Sequence, residues 1–190
     1  MRESYFGDSY DVVKQSLLRW LQPFGDWEVH PMFSVPASSA FISAFGTFLN
    51  AKVISEDVLT SVTDRSVYFS SAHSCGNLFL DPDTGICLES KRGVRAPKYL
   101  FLGELVRLAD LRPNCLTVVF DQSVPRGSEE MHIAAKLRSL HDQKISAFAY
   151  RSHACFIVVG RDYSLVDRAY KRIVEESRLP NTRFLRLGAN

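Results

Sequence analysis

The chain has 190 residues, 46% of them apolar and 23% charged, with a formal net charge of +2. That length carries one domain, residues 1–190, with a sizeable core and not two comfortable ones. No apolar run approaches the ~20 residues that span a bilayer, and no hydrophobic segment follows the first basic residue, so neither a membrane span nor a secretory signal is expected and the reading is cytoplasmic.

In chain order, Asp8 or Ser9 caps a helix whose apolar spacing runs through Val12, Val13, Leu17, Leu18 and Leu21, until Pro23 and Gly25 end it. Trp27 to Phe33 reads as a strand, Ala37 to Leu49 as a largely buried helix, and Ala51 to Ile54 as a short strand. Ser55-Glu56-Asp57 has the composition of a helix N-cap with acids in its first turn. Ser66 to Phe69 reads as a further strand. Asn77 to Asp81, NLFLD, is a buried strand that stops in Asp81-Pro82-Asp83-Thr84-Gly85, where Pro82 fixes φ and Gly85 permits φ > 0. Lys98 to Leu111 has the spacing of a helix packed on a sheet. Cys115 to Phe120, CLTVVF, is almost continuously apolar and β-branched, the pattern of a central parallel strand covered on both faces, and it too meets an acid, Asp121. Ser128-Glu129-Glu130 caps a helix running to about His141. Ile145 to Tyr150 and Ala154 to Gly160 are joined by too few residues for a parallel crossover, so they form an antiparallel hairpin. A helix from Ser164 to about Ser177 and a strand near Phe184 to Leu187 close the chain.

This order defines an α/β fold: a Rossmann-like, doubly wound, mostly parallel sheet with a late antiparallel hairpin. In such sheets ligands bind outside the carboxyl ends of the strands, which is where Asp81 and Asp83 stand. The same five residues also read as a plain solvated turn. Lys91, Arg92, Arg95 and Lys98 follow directly, a basic loop suited either to solvent or to a phosphate backbone. Cys75, Cys87, Cys115 and Cys155 are far apart, without CxxC or zinc spacing, and read as reduced thiols with no metal site.

Gly7-Asp8-Ser9-Tyr10-Asp11-Val12-Val13-Lys14 resembles the G-N-H-A-D-V-L-K element of the large-subunit ribosomal RNA adenine-N6 methyltransferase J family. Val29-His30-Pro31-Met32 is similar to that family's T-H-A-G segment, and Asp81-Pro82-Asp83-Thr84 to its D-P-P-Y at the end of the fourth strand. The chain also resembles a broader bacterial and phage group with G-D-x-x-D-x-x-K and F-x-D-P-D-N-G. The resemblance implies a methyltransferase-like protein acting on nucleic acid, with S-adenosylmethionine as cofactor. It implies Asp81 at the reacting centre, with Lys14 and His30 beside the donor and Glu56 on its ribose; Asp83, the other candidate catalytic acid, stands two residues on. Without it, Lys14 reads as a helix surface residue, His30 as a core histidine and Glu56 as a first-turn acid.

Two other readings stand beside this one. Pro82-Asp83 followed by Glu89-Ser90-Lys91 satisfies a PD-(D/E)xK pattern, in which Asp83 and Glu89 bind Mg²⁺, Lys91 positions water and Asp121 is a spare ligand. The third is a catalytically silent methyltransferase-like fold that binds nucleic acid or protein. Ser152-His153 and Asp121-Gln122-Ser123 fall at strand ends where they would share the crevice.

Overall fold

A computed structural model describes residues 3–73, 76–89, 93, 95–124 and 127–187. Helix α1 (Ser9–Leu21) starts where its unpaired N–H groups find a carboxylate: Asp8 accepts from Tyr10 N at 2.9 Å and Asp11 N at 3.1 Å. Its inward face is Asp11, Lys14, Leu17, Leu18 and Leu21, while Val12 is 50% exposed. Strand β1 (Trp27–His30) stops at Pro31. Helix α2 (Ser39–Leu49), capped by Ser38, ends at a left-handed Asn50 and leads into β2 (Lys52–Val53).

Three local expectations are corrected. Ser55-Glu56-Asp57 opens no helix: residues 54–60 are irregular, because Ser55 Oγ closes on Asp57 N at 3.3 Å within a local turn. Ser66 to Phe69 is not a strand, since the Asp64 carboxylate draws in the N–H groups of Ser66 and Val67 and starts α3 (Arg65–Tyr68). A 3₁₀ turn, Phe69–His73, continues it. Asn77–Leu80 is therefore the third strand, β3, rather than the fourth, followed by β4 (Gly85–Cys87). Finally, Lys98 to Leu111 is only partly helical. Tyr99–Phe101 forms β5, parallel to β4, and α4 (Leu102–Leu111) begins where the Glu104 carboxylate accepts from Phe101 N at 2.9 Å.

The remaining elements fall close to expectation: β6 (Thr117–Asp121), α5 (Glu129–Asp142), β7 (Ser146–Arg151), β8 (Cys155–Gly160), α6 (Tyr163–Ser177) and β9 (Phe184–Arg186). The main sheet has the order β2-β1-β3-β6-β8-β7-β9. Strands β2, β1, β3 and β6 run parallel, and β8 lies antiparallel between β6 and β7. The fold is thus α/β and Rossmann-like, with the expected hairpin driven into the sheet rather than laid along its edge.

Alternation along the strands builds two cores, as expected for a sheet covered on both faces. Phe79, Val118 and Phe156 pack with α1, α2 and α6, whereas Leu78, Leu80, Val119 and Ile157 pack with α4 and α5. Among the described residues no helix is long and apolar enough to cross a membrane. The order in which the chain adds parallel strands reverses between β1 and β3, and the carboxyl ends of the two strands open on the same edge of the sheet.

The turn after β3 is fastened to the end of β6. Gly85, at φ +122°, lies so close to Asp121 that a Cβ there would meet Oδ1 at 2.0 Å. Ile86 N donates to that oxygen at 3.1 Å, and Gln122 N donates to Thr84 O at 2.9 Å. Both the φ and the contact exclude a side chain. Gly85→Ala should therefore destabilise the protein by more than about 2 kcal/mol in urea unfolding, well beyond an ordinary surface substitution.

Candidate functional site

Asp81 follows β3 on the same face as Phe79, towards α1, and it meets the charged head of that helix's inward stripe. Lys14 Nζ lies 2.9 Å from Asp81 Oδ2 and 3.0 Å from Asp11 Oδ1, and 4.5 Å from the centre of the Phe120 ring. Asp11 is also tied backward, its Oδ2 accepting from Gly7 N at 3.0 Å. The three charged residues are 1–4% exposed. Burial pulls the Lys14 ammonium down, but Asp81 and Asp11 outweigh it and hold it above the ordinary lysine value, so the proton stays on Lys14. Burial pushes the Asp81 carboxyl above the usual carboxylate range, against the pull of Lys14.

The triad forms the floor of a cavity of about 380 Å³. Tyr5, Tyr10 and Phe120 supply aromatic walls, Asp83 and Thr84 the side towards β4, and Gln122 the far end. Lys98 also lines it and is exposed. Lys14 donates to Oδ2 of Asp81, and Oδ1 makes no hydrogen bond with another described residue. A buried carboxylate with one oxygen neutralised and the other free can accept an N–H or a proton from a bound ligand.

Of the residues expected around a donor, only Lys14 reaches this cavity. His30 leaves β1 on the opposite face, between Tyr68 (ring centroids 4.8 Å) and Phe69 (5.4 Å). Its Nε2 stands 3.4 Å from Tyr68 O, its Nδ1 is buried without a partner among the described residues, and burial lowers the imidazole to about 4. Glu56 is exposed in the irregular stretch after β2. Asp83 lines the cavity and accepts from Ser34 Oγ at 2.5 Å. That bond bridges the loops after β1 and β3, across the switch point. In the loop after β1, Met32 (φ +50°) and Phe33 are buried, filling the space that a close backbone approach would leave. The cavity consequently lies one strand over, between the ends of β3 and β6.

Glu89 is exposed beyond the far end of β4 from Asp83, and Lys91 lies outside the described residues, as do Arg92 and Cys75. Cys87 and Cys155 are free thiols. Asp121 has its oxygens committed, Oδ2 to the Lys136 ammonium and Oδ1 to Ile86 N, Ser123 N and Ser123 Oγ. No group of three His, Cys, Asp or Glu among the described residues is placed to hold a metal ion.

Tyr10 and Phe120 belong to the cavity without having been singled out from the sequence, whereas Gln122 was expected in the crevice and lines it. The available signal was Asp11 and Lys14, which continue the Leu17-Leu18-Leu21 face and so had to point inward. No family model, curated protein or solved structure matches this chain.

Two measurements probe these environments. Lys14→Met leaves two buried carboxylates uncompensated and should cost about 3–5 kcal/mol in denaturant unfolding, part of it recovered by adding Asp81→Asn. For His30 the folded imidazole titrates near 4 against 6.5 unfolded, so as pH falls the unfolded chain takes the proton first. Stability is complete above pH 6.5 and should decline by about 3 kcal/mol down to pH 4, a slope that His30→Phe removes.

Proposed function

We propose that this chain is a methyltransferase-like protein that presents an amine-bearing base of a nucleic acid to Asp81, with S-adenosylmethionine as methyl donor. The observation that carries the reading is the Asp81 carboxylate, held through Oδ2 by Lys14 and lining a cavity at the carboxyl edge of the sheet. The reversed strand β8 between β6 and β7 is the addition to a doubly wound sheet that the family resemblance implies, and it supports the same reading.

In this reading Asp81 Oδ1 accepts a hydrogen bond from the amine and is placed to hold the proton that this nitrogen gives up. Its raised pKa makes it the better acceptor for that proton. Lys14 fixes the carboxylate through Oδ2, so the free oxygen keeps one direction. Arg95 and Lys98, both exposed beside the turn, can meet the phosphate backbone. The donor would supply the methyl group as an electrophile. The donor set does not close around one pocket, since His30 and Glu56 lie away from Lys14, and no step is assigned to it.

That same geometry favours a second reading, a silent binding module, because Met32, Phe33 and the Ser34–Asp83 bond occupy the loop after β1. Titration calorimetry with S-adenosylmethionine separates the two. Methyl transfer requires heat of binding and a raised melting temperature in wild type, and at least a hundredfold loss of label transfer to nucleic acid in Asp81→Asn. Absence of both heat and thermal shift would remove the donor from the proposal and leave the binding module.

A further inference from the structure

A second cavity, also about 380 Å³, adjoins the first along the carboxyl edge and shares Tyr10 and Gln122 with it. Its outer wall is the hairpin turn between β7 and β8, with Arg151, Ser152 and His153. The Tyr10 ring stands in the partition. It meets Phe120 edge-on at 5.8 Å and 70° on one side and lies 4.7 Å from the His153 ring on the other. The acids of the second cavity are engaged: Asp121 pairs with Lys136, and Glu129 Oε2 accepts from Gly127 N at 2.9 Å. Arg151 makes no ion pair or side-chain hydrogen bond among the described residues, so its charge is the one left uncompensated there.

We infer that the two cavities form one cleft for a nucleotide unit: an amine-bearing base against Tyr10 in the first chamber and its phosphate beside Arg151 in the second. The inference rests on Asp81 as the group that meets the amine, but it adds the partition and the anion subsite, on residues from other elements. Tyr10 offers a flat face whose tilt is fixed by Phe120 behind it, and aromatic faces hold bases of any sequence. Gln122, common to both chambers, stands where base and phosphate are joined. Arg151 offers a forked donor matched to phosphate oxygens.

Calorimetric titration with adenosine, adenosine 5′-monophosphate and a single-stranded adenine hexanucleotide tests this. The monophosphate should bind at least fivefold tighter than adenosine, and Arg151→Gln should erase that preference while leaving adenosine unchanged. Tyr10→Leu should weaken both by on the order of tenfold and Tyr10→Phe by less than twofold. His153→Ala, in an exposed turn, repeats the stacking test if Tyr10→Leu melts early. A hexanucleotide that binds tighter than the monophosphate identifies the unit as part of a strand; equal affinity identifies a free nucleotide. Equal binding of adenosine and its monophosphate, or unchanged affinities in Arg151→Gln and Tyr10→Leu, would overturn the inference. A thermal shift with S-adenosylmethionine but no binding of any of these three probes would also overturn it while leaving the donor reading intact.

Discussion

An ammonium group shut away from water must be matched by carboxylates, and the Asp11–Lys14–Asp81 contact is that match. It joins the first helix to the end of the third strand, 67 positions apart in sequence. With Lys14 fixed, the first turn of α1 is fixed, and the segment before it follows. Gly7 hangs on Asp11, Phe6 sets its ring edge-on against Phe41, Phe45 and Phe48, and Glu3 accepts from Ser38 Oγ at 2.9 Å. The wall that carries Tyr5 and Tyr10 is therefore positioned by one ionic contact and one aromatic cluster. The triad sets two carboxyl groups against one ammonium.

Two acids close the apolar strands of this sheet, and chemistry separates what composition does not. Asp81 and Asp121 both follow a run of buried aliphatic residues and both face a lysine. Asp121 spends its oxygens on Lys136, two backbone N–H groups and a serine hydroxyl, and in return fastens Gly85 and Ile86. Among the described residues, the Asp81 carboxylate has one hydrogen-bonding partner, Lys14. The saturated acid builds the turn behind the other one, where Pro82 to Thr84 is anchored through Asp83 to Ser34, through Thr84 and through Gly85.

The strand-and-helix alternation was legible because long apolar runs such as Leu116 to Phe120 and Phe156 to Val159 are buried on both faces and have few other uses. The hairpin was legible from chain length alone. What failed was short and polar. Ser66 to Phe69 has β-forming side chains, but one carboxylate at Asp64 fixes the first helical turn and overrides them. Tyr99 to Phe101 was merged with the helix after it, because apolar spacing does not mark where a three-residue strand ends. At the site, Asp81 and Lys14 were found as a pair. His30 was misplaced by one face: in a strand the neighbouring positions alternate, and only the pairing of His30 with Leu80 reveals which side it takes.

Strand β8 is bonded on both sides, to β6 and to β7. Its turn thus projects from two fully paired roots, and Tyr10 of α1 meets it from one side, 4.7 Å from the His153 ring. A segment rooted this firmly and burdened this little is free to diverge in length and in residue type while the sheet beneath it stays the same. Change in ligand preference can accumulate at that turn in lineages that leave the charged floor untouched, because a substitution there costs no buried ion and no core contact.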